Sequence, residues 1–491
     1  MAPSVDTGKE SKITGRALAA TEANWVRATA TGTGVQVIGI ALKRHVELKL
    51  ISQAAREVEG NYAILRSQIV ETSKGKLALS APQRPGVPPV EEFPWPPLEK
   101  KRMTGGMLVL PGDDTEGHRL SLALDSVVKQ ELNTPFRNAS HKISGPVDVF
   151  RILVYTEHQE PTLGTLIVLK FNSGALDRPS AINISQSFFT ALNAVVDGKV
   201  PMLPVAPGKN DLLPALEDLI PKGKAIKSLI QKGIDTITYA MSANKFSLLP
   251  FSSAYVESKH QVFRTDLLSY TLGKEGTAAL MARSKQEKTT YGAALTAAFL
   301  KGVATVKELK DKNLDKFSFT SLMDCRPHFQ PTIAPQGLGA YTTGISQDEQ
   351  VRSDRGFWDL ARSISASTER EMGKMIHFSE LPVLNMIFSQ ILKRPGLTQK
   401  SSLRTALFSL FVDGPMNAQW KDVDQLDLAG TFGPYGSTHG IGPCFCVAEA
   451  LIPGPELNLS LVYAVPVYDK DQMEALAQTS LEVLTAAIKE L

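Results

Sequence analysis

Apolar residues in the first half of the chain recur at two spacings, those of strands and those of helices. The β-branched run VQVIGIAL at 35–42 predicts a strand, and apolar positions every three or four residues through 46–58 predict one face of a helix. Two neighbouring strands are predicted at 146–158 and 163–171, followed by a helix at 180–196. The first half therefore mixes strands and helices.

Two segments of this half depart from that pattern. Residues 82–99 contain seven prolines, each of which removes a backbone donor and fixes φ, so neither a helix nor a central strand is expected there. Residues 117–133 fit either a strand or a helix. We interpret the first as an ordered excursion or a rim loop, and for the second we leave both strand and helix open.

The second half shows the same mixture. Strands are predicted at 247–256, 316–326, 425–433, 444–452 and 457–465, helices at 262–276, 291–306, 356–372 and 472–491, and a basic turn at 282–290. Residues 197–224 between the halves are rich in Pro, Gly and Lys, so we place a boundary near residue 215, between lobes 1–215 and 216–491. Two halves of this kind predict an α/β or α+β fold with two lobes.

Composition narrows the class of ligand. The chain has 491 residues, 43% of them hydrophobic, with 53 basic against 50 acidic side chains. This balance leaves no electrostatic footprint for nucleic acid or an anionic membrane, so a small-molecule substrate is expected. Neither a signal peptide nor a membrane span is recognisable, and three cysteines form no disulfide framework or zinc spacing. We expect a cytoplasmic monomer without a metal.

Several common catalytic motifs are missing from the sequence. It contains no G-x-x-x-x-G-K-[ST], no G-x-G-x-x-G between a strand and a helix, no G-x-S-x-G and no H-E-x-x-H. Phosphate-loop, dinucleotide, nucleophile-elbow and zincin chemistries are therefore disfavoured.

The loop NSGALDR at 172–178 joins the strand at 163–171 to the next helix, with Pro179 well placed at that helix's start. Loops held on a rigid scaffold are where binding and catalytic side chains gather. The alternative is an ordinary connection in which Asp177 pairs with a cation. The sequence alone leaves both readings open.

Five short motifs occur in the order found in a known superfamily. They are R-x-L-x-x-x-E-x-x-W from Arg16 to Trp25, Leu65-Arg66, FNSGALDR at 171–178, SLMDCRP at 321–327 and GTFGPYGSTHGIGP at 430–443. In this order the chain resembles the acyl-CoA-dependent BAHD acyltransferases and the condensation domains of nonribosomal peptide synthetases. The resemblance implies two lobes of chloramphenicol acetyltransferase-like topology, with a tunnel that receives the acyl donor from one side and the acceptor from the other.

The chain departs from this superfamily at the catalytic base. The second histidine of its H-H-x-x-x-D motif takes the acceptor's proton, but here Ser173 occupies that position and Asn172 precedes it. None of the eight histidines is followed by aspartate four residues later. A serine hydroxyl cannot act as a base near neutral pH, whereas imidazole can. Arg178 in place of glycine is a second departure.

The resemblance also implies roles for other residues. Asp177 should be structural, in a salt bridge with Arg326 or Arg66. A substitute base could be His439 in STHGIGP or His328 in DCRPHFQP, although either can equally be a structural histidine. Cys444 and Cys446 would be nucleophilic only beside a base, and are more simply core residues of a strand.

Basic residues after the boundary could bind the phosphates of coenzyme A. In the resembling family, coenzyme A phosphates approach the second lobe near the positions that Lys222, Lys224, Lys227 and Lys232 occupy here, and near the turn with Arg283, Lys285 and Lys288. The alternative is that these lysines only keep the surface hydrated. We expect no bound cofactor, with acyl-CoA as a possible co-substrate.

Three functions remain open at this point. The first is acyl transfer from acyl-CoA to a hydroxyl or amine of a small metabolite through an altered base, in which Ser173, Asn172 and His439 would be the catalytic candidates. The second is proton-transfer chemistry without acyl-CoA, such as cyclisation, condensation or elimination. The third is a non-catalytic protein that binds a ligand in the tunnel.

Overall fold

The computed structural model describes most of the chain between residues 15 and 489. The described residues are 15–72, 75–80, 90–95, 115–136, 145–156, 164–223, 249, 251–257, 263–306, 316–351, 354–393, 404–410, 426–436, 446–451 and 457–489.

Fifteen strands occur in these ranges. They are β1 Gly15–Ala17, β2 Val35–Leu42, β3 Gln68–Glu71, β4 Leu77–Ser80, β5 Val90–Pro94, β6 Val147–Asp148, β7 Phe150–Thr156, β8 Thr165–Asn172, β9 Arg264–Leu272, β10 Lys316–Asp324, β11 Thr342–Gln350, β12 Ala406–Leu410, β13 Leu428–Gly436, β14 Cys446–Leu451 and β15 Leu457–Val465.

Twelve α-helices accompany them within the same ranges. They are α1 Ala20–Ala28, α2 Leu48–Asn61, α3 Thr115–Leu132, α4 Arg178–Val196, α5 Leu216–Leu219, α6 Ser253–Glu257, α7 Lys274–Gln286, α8 Tyr291–Val306, α9 Phe357–Gly373, α10 Ile376–Ser379, α11 Leu381–Lys393 and α12 Lys470–Lys489.

The first large sheet has the strand order β13-β2-β8-β7-β5 and is antiparallel except for the pairing of β5 with β7. One face packs against α2 and α4, with Ile167 and Leu169 of β8 in its core. The opposite face packs against α3, with Leu166 and Val168 of β8 in a second core. Burial on both faces explains why residues 166–169 of β8 are all apolar.

The second large sheet has the order β11-β10-β12-β14-β15-β9, in which only the β10–β12 and β12–β14 pairings are parallel. Residues of α8, α9 and α12 form its largest apolar core. A small four-stranded sheet, β1-β4-β3-β6, lies in the first half. The mixed α/β class with two helix-covered sheets is therefore confirmed.

The two large sheets share one core, which we call the seam. Leu267 of β9 and Val462 of β15 pack in the same cluster as Leu166 and Val168 of β8. At the rim of this cluster, Asn133 exchanges two hydrogen bonds with the backbone of Thr265, at 2.8 and 2.7 Å. Side chains on the α3 side of β8 therefore point toward the second half.

One strand from the second half completes the sheet of the first. β13 pairs antiparallel with β2, with Thr431 opposite Ile40 and Phe432 opposite Gly39. The expected boundary near residue 215 stays a prediction, but residues 428–436 belong structurally with the earlier sheet.

The helix expected at 262–276 is wrong. Arg264–Leu272 is β9, an edge strand paired along its length with β15, and the helix that follows, α7, runs through the first part of the predicted turn. Apolar residues in this segment fit the spacing of a helix or of a strand, and the pairing that selects a strand comes from β15, 185 to 201 residues further along the chain. The strand expected at 247–256 is also not seen in its described part, where Ser253–Glu257 is a short helix.

The structure also decides the two segments that the sequence left uncertain and contains elements that were not predicted. Residues 117–132 fall in helix α3, and the described part of the proline-rich stretch, residues 90–95, contains the edge strand β5. Strand β11 and helix α11 were not predicted. Among the described helices, none combines the length and apolar composition needed to cross a lipid bilayer.

Candidate functional site

Asn172 ends strand β8 and begins the loop that leads into α4. Its side chain is fully buried. It lies on the seam side of the sheet, because residues separated by an even number along a strand share a face, and Leu166 and Val168 pack in the seam. The Oδ1 atom accepts a hydrogen bond from the Gly174 N–H at 3.0 Å, which closes a tight turn. The Nδ2 group has no hydrogen-bond partner among the described residues.

Ser173 is the half-buried residue of this loop and is held from strand β2. Its backbone N–H donates to the Gly34 carbonyl at 2.9 Å. Its hydroxyl accepts a hydrogen bond from Gln36 Nε2 at 3.0 Å, and the same Nε2 donates to the Leu176 carbonyl at 3.0 Å. Gln36 therefore joins both ends of the loop to β2.

Gly174 allows the loop to lie directly against helix α1. A Cβ at this position would be 2.3 Å from Val26 Cγ2 and 2.8 Å from the Glu22 carbonyl oxygen. Helix α1 is itself fixed by an ion pair between Arg16 and Glu22, at 2.6 Å. Helix α1, which contains the Glu22 and Trp25 positions of the R-x-L-x-x-x-E-x-x-W motif, thus packs directly against the loop.

Asp177 caps the N-terminus of α4 and binds the second half of the chain. Its Oδ1 accepts from Ser180 N, Ser180 Oγ and Arg326 Nη2, at 2.9, 2.7 and 2.9 Å. Its Oδ2 accepts from Arg326 Nη1, Tyr341 N and Thr342 Oγ1, at 3.0, 2.9 and 3.1 Å. Six donors on one carboxylate fix the end of the loop to the second half of the chain.

Arg326 is as deeply buried as Asp177 and makes further contacts. Its Nε donates to the Gly337 carbonyl at 2.9 Å, its Nη1 also binds Asp324 at 2.8 Å, and its guanidinium lies over the Tyr341 ring at 5.0 Å. Burial raises the pKa of Asp177, but the charge and hydrogen bonds of Arg326 outweigh it and hold that pKa below its usual value. Burial acts to lower the pKa of Arg326, yet Asp177 and Asp324 raise it overall. Both groups are ionised at neutral pH.

Arg66, the other partner expected for Asp177, lies elsewhere. Its Nη1 donates to the Glu59 carbonyl at 2.6 Å and its Nη2 to the Lys209 carbonyl at 2.8 Å. Of the two arginines, the structure thus pairs Arg326 with Asp177.

Comparisons with solved structures identify the fold. A trichothecene 15-O-acetyltransferase from Fusarium sporotrichioides is similar over 99% of both chains, with a TM-score of 0.67 and 11% identity. A cyclization-docking bidomain of the nonribosomal peptide synthetase EpoB from Sorangium cellulosum matches over 97% of this chain and 85% of its own, with a TM-score of 0.63 and 14% identity. The epimerization domain of the third module of tyrocidine synthetase B matches over 98% of both chains, with a TM-score of 0.62 and 13% identity.

This chain has the chloramphenicol acetyltransferase-like fold. The fold expected from the sequence motifs is thereby confirmed. No family model matches the sequence, and no curated protein matches it either.

Arg178, the first residue of α4, reaches across the seam of this chloramphenicol acetyltransferase-like fold. It is buried, and its Nη1 donates to Ser409 Oγ of β12 at 3.2 Å. A glycine at this position could make no such contact. The loop is therefore joined to the second half at both Asp177 and Arg178.

His328 lies just beyond Arg326, in a 3-10 turn after β10. Its ring packs edge-on against the fully buried ring of His377, with centroids 5.5 Å apart. Neither ring nitrogen of His377 has a partner in the part of the chain that the structure describes. Burial, and then the neighbouring His328, lowers the pKa of His377 to about 4. His377 is therefore neutral at physiological pH.

Other candidates from the sequence fall at the surface, in the core or outside the described residues. Lys285 and Lys288 are exposed at the end of α7. Five candidates lie outside the described residues: His439, Lys224, Lys227, Lys232 and Cys444. Lys222 is described and is exposed. The third cysteine, Cys325, is buried against Thr343, and burial raises its thiol pKa to about 12. No three His, Cys, Asp or Glu side chains in the described ranges come together as a metal site.

Gln36 contacts the loop through two hydrogen bonds, and the sequence analysis did not single it out. It is the single polar side chain in the strand VQVIGIAL, and a polar residue inside an otherwise apolar strand is expected to have a hydrogen-bond partner. That signal was available in the sequence. The identity of the partner, 137 residues away in Ser173, was not.

Proposed function

We propose that this protein is an acyltransferase-like enzyme that moves an acyl group from an acyl-CoA to a hydroxyl or amine of a small metabolite. The observation that carries the proposal is the set of six hydrogen bonds on Asp177, which ties the Asn172–Asp177 loop to the second half of the chain. Such rigid placement is what a reacting group in a substrate passage requires. The acyltransferase of Fusarium with the same fold supports this choice of reaction class.

The reaction would be a nucleophilic substitution at the thioester carbonyl. The acceptor's nitrogen or oxygen attacks the carbonyl carbon, the carbon–sulfur bond breaks, and the thiolate leaves while the acceptor's proton is released. An uncharged amine already carries a nucleophilic lone pair, whereas a hydroxyl needs a base to take its proton. With Ser173 in the histidine position, we expect amine acceptors to react faster than hydroxyl acceptors.

Other residues are assigned by the same proposal. His439 is the substitute base for hydroxyl acceptors, and Lys224, Lys285 and Lys288 bind the phosphates of coenzyme A. We also propose that the protein acts in the cytoplasm as a monomer on a small molecule, without nucleic acid, membrane or metal. The near balance of basic and acidic residues supports a small-molecule substrate over a polyanion.

The test is turnover of acyl-CoA. Purified protein is incubated with short, branched and aromatic acyl-CoAs and a panel of amines and alcohols, while free thiol is followed by colour and products by mass spectrometry. Ser173→His should raise transfer to alcohols, because imidazole supplies a base at that position. Ser126→His, on the exposed side of α3, is the matched control. Absence of thiol release in both the wild type and Ser173→His across the panel would overturn the proposal.

A second candidate rests on the replacement of both histidine positions while the Asp177–Arg326 pair is kept. The scaffold would then serve proton-transfer chemistry without acyl-CoA, such as cyclisation, condensation or elimination, or would bind a ligand without reaction. A metabolite extract incubated without coenzyme A should change composition in the first case, and His439→Ala should abolish the change. Saturable ligand binding with no chemical change indicates the second.

A further inference from the structure

The hydrogen bonds of Gln36 determine which of its two terminal amide atoms is the nitrogen. Its terminal atom nearest the loop lies 3.0 Å from the Leu176 carbonyl oxygen and 3.0 Å from Ser173 Oγ. A backbone carbonyl oxygen can only accept a hydrogen bond, so the atom facing it must be the nitrogen. Each of its two N–H groups therefore has a partner, one in Leu176 and one in Ser173.

This orientation determines what the Ser173 hydroxyl can do. The hydroxyl accepts from Gln36, so its own proton is left to be donated to another group. A carboxamide nitrogen does not take up a proton near neutral pH, so Gln36 cannot activate Ser173 as a nucleophile. Ser173 is half-buried whereas Asn172 is fully buried, so Ser173 is the more exposed of the two.

We propose that Gln36 is a positioning residue, which turns the Ser173 hydroxyl into a hydrogen-bond donor to the carbonyl oxygen of the thioester substrate. The proposal rests on the acyl-transfer function given above and names the role of Ser173 in it. When the acceptor attacks, the carbonyl π electrons move to oxygen, and the Ser173 O–H stabilises that charge. The electrons return as the carbon–sulfur bond breaks and the thiolate leaves. One such donor typically contributes 10²- to 10³-fold to kcat.

The role can be tested by reversing and restoring the hydrogen bond. Gln36→Glu places an acceptor beside Ser173, so the hydroxyl should turn to donate to the new carboxylate and be lost to the substrate. Gln36→Lys keeps a donor at that position and should retain most activity. We expect Gln36→Glu and Ser173→Ala each to lower kcat by roughly 100-fold while KM changes little. Gln130→Glu, an exposed change of the same charge on α3, controls for the added carboxylate.

Two further measurements separate this role from a structural one. The double variant Gln36→Glu with Ser173→Ala should lose no more activity than either single variant, because both remove the same donor. Calorimetry with S-acetyl-CoA and with S-ethyl-CoA, which lacks the carbonyl, should show tighter binding of the acetyl compound to the wild type. That preference should vanish in Gln36→Glu and persist in Gln36→Lys.

The outcomes distinguish the two proposals. Turnover by the wild type with equal kcat in Gln36→Glu and Gln36→Lys, or without any preference for the carbonyl compound, overturns the role of Gln36 and leaves acyl transfer standing. Lack of both turnover and coenzyme A binding in the wild type overturns both. Urea unfolding of each variant confirms that a loss of kcat does not come from a loss of folded protein.

Discussion

Replacing Asp177 by asparagine should destabilise the fold far more than the loss of one surface charge. Each carboxylate oxygen faces three donors, so the NH₂ group of an asparagine would point at N–H or O–H groups in either orientation. Arg326, only 1% exposed, would keep a single charged partner in Asp324. Removing one partner of a buried, hydrogen-bonded ion pair costs about 3–5 kcal/mol, which is the loss expected here.

The measurement is the free energy of unfolding in urea, followed by tryptophan fluorescence and circular dichroism. Asp324→Asn is the matched control, because Asp324 binds the same guanidinium at 2.8 Å but is 30% exposed. We expect that control to cost about 1 kcal/mol. Adding Arg326→Met to Asp177→Asn should recover part of the loss, since the buried guanidinium that had lost its anion is then removed.

The pH dependence gives an independent check on the same pair. The pKa of Asp177 is held below its ordinary value in the folded protein, so its contribution is present at pH 7 and is lost as the pH falls below about 4. Asp177→Asn should flatten this acid limb. If Asp177→Asn proved no more destabilising than Asp324→Asn, the clamp across the seam would not be a source of stability and the reasoning would be refuted.

Three further predictions concern other buried groups. Because His377 has a pKa near 4 when folded and about 6.5 when unfolded, stability should fall by about 3 kcal/mol as the pH drops from 6.5 to 4, and urea titrations of His377→Phe should lack this slope. Gly174→Ala should cost about 1–3 kcal/mol through contact with Val26 and Glu22, and added Val26→Ala should relieve part of it in the same assay. Glu131→Gln should cost roughly 3 kcal/mol by leaving Lys170, whose Nζ lies 2.7 Å from Glu131, buried without its anion. An equal stability of Glu131→Gln with and without Lys170→Met would contradict that last explanation.

The sequence predicted helices and strands best where the apolar residues kept the spacing of one element over its whole length, or where a strand was apolar throughout. The strand predicted at 457–465 matches β15, and the helix at 291–306 matches α8. Strand β9 was mistaken for a helix because its identity depends on pairing with β15, which periodicity does not record. Helix α11 was missed although its apolar face packs on α1, where Phe388 lies 5.1 Å from Trp25.

The candidate site was located by the sequence but not assembled by it. The order of short motifs pointed to the Asn172–Asp177 loop, and the departure at Ser173 was visible from the letters alone. The sequence offered both Arg326 and Arg66 as partners for Asp177. The fold decides between them, because it places Arg326 against Asp177 and Arg66 against the Glu59 carbonyl. The contact of Gln36 with Ser173 depends on the register of β2 against β8, which pairs Gln36 with Phe171.

The placement of β13 has a consequence for how this chain is made in a cell. Strand β2 pairs with β8 on one side and with residues 428–436 on the other, and these residues are synthesised long after β2 and β8. Until then one edge of the first large sheet carries unpaired backbone N–H and C=O groups, which is the kind of surface that templates aggregation. A fragment ending near residue 215 would keep that edge permanently open. We therefore expect residues 1–491 to express as folded protein where the first half alone does not, and chaperones to associate with the nascent chain until residues 428–436 emerge.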